Sequence, residues 1–355
     1  MRNQSKIFVF AFCLSFLLAA VSVVSATDPS YRLDFDGDGK TDIAVFDADG
    51  GCGIIAPSSA YFRYKSSLTG QTVSIQWGNS CHLPVPADYD ADDITDTAIF
   101  NPYGENNEPT NQWWILKSSN NNYYVQMFGN LQQFVPRDYD GNLTAQPATL
   151  QLQVDEVDPE NPNDDYGQWY FSYLHSNNES TIQQVTGVWT PTSQTRQYAA
   201  PGDYNGIGFS SPVIFQRDYK EFWVFSDYDS NPVPEDKISL DIDYPTPGDY
   251  DGDGRTDYAG IDDYENPSAT NLVWRVKFNT GNTPEPSDLA INWGVPGDLA
   301  VPGDYDGDGK TDIAVFRPSN TTWYIRRSSD SGTTTVVFGE SDDTPLAMPI
   351  QHGQL

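Results

Sequence analysis

The sequence predicts an all-β fold, a propeller of four-stranded blades. Three observations predict it. A nine-residue acidic string recurs about every 50 residues. Each copy is followed by the same succession of short apolar, alternating segments. After the N-terminal apolar run, no stretch carries the 3.6-residue periodicity of an amphipathic helix. Units of this size cannot bury their own faces and pack radially instead, closing a ring.

The string is clearest at Asp304-Tyr305-Asp306-Gly307-Asp308-Gly309-Lys310-Thr311-Asp312. Close copies span Asp34–Asp42, Asp88–Asp96 and Asp249–Asp257, and eroded copies begin at Asp138 and Asp203. Successive starts are 54, 50, 65, 46 and 55 residues apart. Six copies predict six blades, with seven as the alternative. The 65-residue third repeat is the one place for an extra element, but its excess around Val154–Asp165 is acidic and rich in Pro and Asn, as a long loop would be.

Each repeat then supplies its strands in order. A short segment ending in Pro precedes each later string: Leu83–Pro86, Phe134–Pro136, Tyr198–Pro201, Tyr244–Pro247 and Leu299–Pro302. After the string comes a β-branched segment such as Ile43-Ala44-Val45-Phe46 or Ile313-Ala314-Val315-Phe316. A Trp-bearing segment follows, at Trp113, Trp169, Trp223, Trp274 and Trp323, where Trp is expected to pack between blades. The last strand ends in aromatic-Gly, as in Trp77-Gly78, Phe128-Gly129, Trp293-Gly294 and Phe338-Gly339. Leu346-Ala347-Met348-Pro349 repeats the Leu299–Pro302 pattern with no string after it. It is therefore expected to return as the missing first strand of the first blade, removing the free edges.

The string reads as a loop for a hard cation. Carboxylates stand at positions 1, 3, 5 and 9, and position 7 can offer its backbone carbonyl, close to the ligand rhythm of helix–loop–helix calcium sites. The expected ligands are Asp34, Asp36, Asp38, Lys40 and Asp42; Asp88, Asp90, Asp92, Ile94 and Asp96; Asp249, Asp251, Asp253, Arg255 and Asp257; and Asp304, Asp306, Asp308, Lys310 and Asp312. Lys40, Ile94, Arg255 and Lys310 enter only through their carbonyls. About four calcium ions are expected. Magnesium wants a stricter octahedron, and zinc wants His or Cys. Gly at position 6 permits a left-handed turn, and Asp93 in the second copy tolerates one better than most residues. The third copy, with Asn142, Leu143 and Gln146, and the fourth, with Asn205, Ile207 and Ser211, are expected to bind weakly or not at all. The aromatic at position 2 should turn away from the carboxylates into its blade.

Residues 1–26 are expected to be a secretory signal: Arg2 and Lys6 form a basic head, Ile7 to Val24 is mostly apolar, and Val24-Ser25-Ala26 is a cleavage site before Thr27. No other stretch approaches a membrane span, so no membrane insertion is expected after cleavage. Residues 27–355 then form one propeller domain, secreted or at the cell surface. Cys52 and Cys81 remain, an even pair in an exported chain, and are expected to form a disulfide within the first repeat. The net charge of −31 argues against nucleic acid and anionic membranes as partners. The sequons at Asn142, Asn178 and Asn320 matter only in a host that glycosylates them.

The Asp-x-Asp-Gly-Asp-Gly-x-x-Asp loops, the Phe-Gly endings and the Trp-Tyr-Ile strand resemble FG-GAP or VCBS-type repeats, known from integrin α-subunit propellers and bacterial exported proteins. The resemblance implies a calcium-stabilised β-propeller, usually with seven blades, where this chain shows six loops. Catalysis has little to build on. His82, His175 and His352 are dispersed, and neither a Gly-x-Ser-x-Gly elbow nor His-Glu-x-x-His occurs. The expectation is a non-enzymatic module binding an extracellular protein or carbohydrate. A structural assembly component is the alternative, and a polysaccharide-active enzyme a more distant one.

Overall fold

The structure is a computed structural model and describes residues 32–48, 57–103, 109–129, 133–154, 167–175, 180–189, 197–225, 236–264, 266–281 and 288–347. The signal segment 1–26 with Thr27, Cys52, the bulk of the acidic excess in the third repeat, Asn178, Met348-Pro349 and His352 lie outside the described residues. Six antiparallel sheets of four strands each form the blades of the propeller.

Blade 1 begins with β1 (Ile43–Asp47), β2 (Ser59–Lys65) and β3 (Thr72–Asn79). Blade 2 comprises β4 (Leu83–Pro84), β5 (Thr97–Tyr103), β6 (Pro109–Leu116) and β7 (Tyr123–Met127). Blade 3 comprises β8 (Gln133–Phe134), β9 (Ala148–Val154), β10 (Gly167–Leu174) and β11 (Ser180–Trp189). Blade 4 comprises β12 (Gln197–Ala199), β13 (Val213–Gln216), β14 (Glu221–Val224) and β15 (Asp236–Ser239). Blade 5 comprises β16 (Tyr244–Pro245), β17 (Tyr258–Asp262), β18 (Val273–Lys277) and β19 (Asp288–Asn292). Blade 6 comprises β20 (Leu299–Ala300), β21 (Ile313–Arg317), β22 (Thr322–Arg326) and β23 (Thr333–Val337), and β24 (Thr344–Pro345) completes blade 1. Among the described residues no helix is long and apolar enough to cross a membrane.

Burial falls outward across each blade, and the sequence shows why. The second strand is apolar on both faces: Ile313, Ala314, Val315 and Phe316 of β21 are all buried between neighbouring blades. The third strand alternates, and the fourth, such as Thr333–Val337, only half-covers its inner face. Trp113, Trp274 and Trp323 are fully buried. Their indole N–H groups donate to the carbonyls of Phe128, Trp293 and Phe338, the aromatics of the aromatic-Gly endings. The glycine beside each is in the left-handed region, and a Cβ on Gly129 would lie 2.8 Å from Thr149 of the next blade. Trp77 and Trp293 reach further, donating to the carbonyls of Trp114 and Tyr324 in the following blades.

Two details depart from the repeat pattern. Trp223 does not share the buried place of the other tryptophans. Phe222 takes it, and Trp223 lies half-buried on the opposite face, packed between blades 3 and 4, bonded to Glu221 and 4.0 Å under the Lys237 ammonium. A shift of one residue along a strand exchanges faces, so matching the letter Trp across repeats picks the wrong side. The closing strand is also two residues earlier than its sequence pattern suggests. Leu346 donates its N–H to Ala44 just as Val301 does to Ala314, so Leu346 stands where Val301 does rather than where Leu299 does. Phe46 pairs with Thr344 and Val45 with Pro345. The closure itself is as expected.

A chain ending at Asp343 loses the strand that covers β1, whereas one ending at Ala347 keeps it. We expect the first to melt well below the second, and Leu346→Ala in the full chain to cost about 2–4 kcal/mol. Equal thermal melts for the two truncations would contradict the closure.

Candidate metal centre

Nine positions define each loop, from Asp34, Asp88, Asp138, Asp203, Asp249 and Asp304 onward. Positions 4 and 6 are left-handed in all six, including the non-glycine residues Ala91 (φ 60), Asp93 (φ 63) and Leu143 (φ 69). The curl therefore survives where glycine has been replaced, at a cost in strain for Leu143. Sequence reasoning singled out position 6. The equal demand at position 4 was visible in Gly37, Gly141, Gly206, Gly252 and Gly307.

The position-1 carboxylate winds the loop. Asp34 accepts from the N–H groups of Gly37, Asp38 and Gly39, Asp304 does the same in its loop, and Asp88 and Asp249 accept from positions 4 and 6 of theirs. Position 5 caps position 7: Asp38, Asp92, Asp253 and Asp308 accept from the N–H of Lys40, Ile94, Arg255 and Lys310. Position 9 is fully buried in each acidic loop. One oxygen of Asp42, Asp96, Asp257 and Asp312 accepts from position 2 of its own loop. The other accepts from Ser67, Ser118, Asn279 or Ser328 in the turn joining the third and fourth strands. The position-2 ring turns into the blade as expected. Phe35 stacks on Tyr64 at 5.0 Å, and the hydroxyls of Tyr89, Tyr139, Tyr204, Tyr250 and Tyr305 donate to the carbonyl four residues back.

Carboxylate oxygens converge in the four acidic loops. Asp34, Asp36 and Asp42 form one group, Asp88, Asp90 and Asp96 a second, Asp249, Asp251 and Asp257 a third, and Asp304, Asp306 and Asp308 a fourth, each within 4.8 Å. The structure thus brings together three of the four expected side chains in each loop. Asp38, Asp92 and Asp253 stay with their position-7 N–H, and in the last loop Asp312 is the one outside the group. Charges this close repel by on the order of 3 kcal/mol per pair at an effective dielectric near 20. Burial pushes Asp42, Asp96 and Asp312 up to about 6 and Asp257 to about 8, with neighbouring carboxylates adding to the rise and backbone N–H donors opposing it.

Two observations test whether a cation fits. Asp90 Oδ1 and Asp306 Oδ1, both at position 3, are buried without a hydrogen-bond partner. The third loop supplies the second. Gln146 stands at position 9, and its oxygen accepts from Tyr139 as the aspartates do. Its amide nitrogen donates to Asp140 Oδ1 at 3.0 Å, Asn142 Oδ1 at 3.2 Å and the Thr144 carbonyl at 2.7 Å. These are the side chains of positions 3 and 5 and the carbonyl of position 7. A positively polarised N–H₂ group thus occupies the centre of the oxygen cage that four other loops leave to carboxylates alone. The oxygen-rich donor set, with no sulfur or imidazole, fits a hard cation such as calcium. In the fourth loop Ser211 cannot reach across in this way, and Asn205 contacts it at 3.4 Å.

The loops also touch one another. The position-8 N–H of each donates to the position-1 carbonyl of the preceding loop: Thr95 to Asp34, Ala145 to Asp88, Ser210 to Asp138, Thr256 to Asp203, Thr311 to Asp249, and Thr41 to Asp304. Sequence reasoning left position 8 unassigned. Its small residues (Thr, Ala, Ser) were the available signal.

Residues 297–337 match the FG-GAP repeat family model, a span that covers blade 6 with its loop. With the six-bladed ring, this supports an FG-GAP-type propeller. No curated protein matches the chain. Among solved structures, a putative 6-phosphogluconolactonase from Bacteroides fragilis is similar at 10% identity and a TM-score of 0.37, over 88% of this chain and 97% of that one.

Without metal, stability should fall as pH rises. The position-9 carboxyls titrate at about 6 to 8 in the folded chain and near 4 when unfolded, so the folded state binds more protons between those limits. Stability from these groups is full below pH 4, is lost through pH 6 to 8, and is level above. Melts in chelator at pH 5 and pH 8 check the sign. We expect the higher melting temperature at pH 5.

Proposed function

We propose that this chain is a calcium-stabilised extracellular binding module whose metal is structural. The carrying observation is the amide of Gln146, which fills the cage of loop 3 with a polarised N–H₂ where loops 1, 2, 5 and 6 offer carboxylates. Asp34, Asp36 and Asp42, and their counterparts in loops 2 and 5, would hold the ion with the position-7 carbonyl. In loop 6, Asp304, Asp306 and Asp308 would do so. When bound, calcium supplies positive charge that offsets the carboxylate repulsion and fixes the loop. Position 9 already spends both oxygens on backbone N–H groups, so the loop is built to tie the ring to the outer hairpin rather than to present a metal to substrate.

Binding is favoured over catalysis for the same reason. The densest polar groups serve the loops. His82 is half-buried, accepts from the Asn79 N–H and is pushed down to about 4 by desolvation. FG-GAP propellers are generally protein-binding modules, which makes an extracellular protein the leading partner class and a carbohydrate the second. We further propose export by cleavage near Ala26 and a Cys52–Cys81 disulfide stapling blade 1, worth roughly 3–4 kcal/mol by loop closure.

Metal analysis after dialysis against trace calcium should give about four ions per chain, one fewer for Asp306→Asn and one more for Gln146→Asp. At millimolar calcium and sites of about 0.1–1 mM, each ion contributes about 0.4–1.4 kcal/mol, so chelation should lower the melting temperature. Two ions or fewer, or an unchanged melt, would overturn the metal assignment. A glycan array and a cross-linked pull-down with the calcium-loaded protein separate the two partner classes. For the disulfide, intact mass should rise by about two hydrogens on reduction. Two thiols alkylated without reductant would exclude the bond.

A further inference from the structure

Three of the large exposed apolar residues line up on one outer strand. Tyr123, Val125 and Met127 of β7 are 59%, 40% and 66% exposed. Cross-strand pairing sets them opposite Leu116, Trp114 and Gln112, on the face of blade 2 away from buried Trp113. The same face of the other described outer strands is mostly polar. It carries Thr72, Ser74 and Gln76 in blade 1, Lys237 and Ser239 in blade 4, Ala290 and Asn292 in blade 5, and Thr333, Thr335 and Val337 in blade 6.

Aromatic rings back this strip. Tyr123 stacks on Trp114 with centroids 6.0 Å apart and planes 4° from parallel, and lies 5.7 Å from Trp77 of blade 1. Both indoles are held in place. Trp77 donates its N–H to the Trp114 carbonyl, and Trp114 donates its own to Gln112 Oε1. The counterparts of Trp114 in other blades are used differently. Arg63 and Arg275 pair with carboxylates, Trp223 lies under the Lys237 ammonium, and Tyr324 lies 4.5 Å under the Arg317 guanidinium. In blade 2 the ring over Trp114 is Tyr123, itself more than half exposed.

The surroundings are neutral. Ser118–Met127 carries no charged residue, in a chain with 50 acidic and 19 basic ones. Asn120, Asn121 and Asn122, in the turn that enters β7, are exposed, so amides border the rings. That turn is fixed: Asn121 donates its N–H to the Lys117 carbonyl, and the Ser118 and Ser119 hydroxyls donate to Asp92 and Asp90 of loop 2. An apolar patch set on one rigid strand and rimmed by polar groups marks a binding surface. Its size narrows the ligand. The open parts of three side chains come to on the order of 300 Å², well short of the roughly 800 Å² per partner that a stable protein interface buries. One or two sugar rings cover such an area.

We propose that the groove between blades 1 and 2 binds a neutral hexopyranose unit of a glycan, with one C–H face of the sugar laid on the Tyr123 ring and its hydroxyls toward the Asn121 and Asn122 amides. A flat π face takes the C–H side of a pyranose, and primary amides both donate to and accept from its hydroxyls. The neutral surface suits a neutral sugar in preference to an acidic one. This names a site for the carbohydrate class of partner and so rests on the binding-module reading, but not on the calcium assignment.

A glycan array probed with the calcium-loaded full chain should pick out neutral oligosaccharides of glucose, galactose or mannose. The best of them should change tryptophan fluorescence saturably, through Trp77 and Trp114. Tyr123→Ala should weaken that binding about tenfold or more, while Tyr123→Phe should hold it within about threefold. Leu68→Ala, at an exposed apolar residue on blade 1, should leave it unchanged. Binding of no neutral glycan, or equal affinity in Tyr123→Ala, would overturn the site. Loss of a cross-linked protein partner in Tyr123→Ala with glycan binding intact would also overturn it, making the strip a protein contact. A glycan that stays bound to Tyr123→Ala removes this site alone and leaves the binding-module reading standing.

Discussion

Six backbone hydrogen bonds, each from position 8 of one loop to the position-1 carbonyl of the loop before, hold this molecule in a ring. Everything else is arranged around them. Thr41 to Asp304 closes the circle across the two ends of the chain, and the Thr41 hydroxyl accepts from the Asp304 N–H beside it. A loop cannot open in one blade without withdrawing a donor or an acceptor from both neighbours. The buried position-9 side chain then carries the constraint outward, with one oxygen on its own loop and the other on the outer hairpin turn. Inner ring, loop and hairpin move as one body, and the position-2 tyrosine fastens that body to its blade core.

The arrangement sets a charged group where charge is costly. Asp42, Asp96, Asp257 and Asp312 are inaccessible to solvent, and a buried carboxylate beside other carboxylates needs compensation. Loop 3 resolves the same geometry with a neutral amide whose two ends satisfy acceptor and donors together. On the calcium reading proposed above, the four acidic loops and the amide loop are two solutions to one problem: an oxygen-lined cage calls for something positive. On that reading one solution depends on the surroundings and the other is built in, so the ring would combine conditional and unconditional segments.

Much of this was legible in the residues. Spacing of the acidic string gave the blade count, and alternation gave four strands per blade, because both follow from periodicities that side-chain burial imposes directly. Position 2 was placed correctly since an aromatic between two acids has only the blade core to bury in. What sequence could not order was register. Trp223 and Phe222 are adjacent and both aromatic, and only pairing with Lys237 and Ile238 on β15 decides which face of the blade each takes. The closing strand slipped by two residues in the same way, because Leu346-Ala347 and Leu299-Ala300 look alike while the hydrogen bond to Ala44 selects Leu346 as the match to Val301. Gln146 read as a lost ligand, which is true of its charge. Its amide as a stand-in for a cation emerges only when three acceptors are seen around it.

Blade 1, assembled from both ends of the chain, also fixes the order in which the molecule can be built. The closing contact spans 263 residues, and contacts of such separation form late and slowly because the chain entropy of closure precedes any reward. Until β24 arrives, β1 presents an uncovered inner edge of apolar residues, a template for any extended segment that reaches it first. A second copy's β24 is chemically identical to the proper one. At high concentration of incompletely closed chains, strand exchange between copies competes with closure, and the short β24 that finishes the monomer is also the segment through which two rings would become linked.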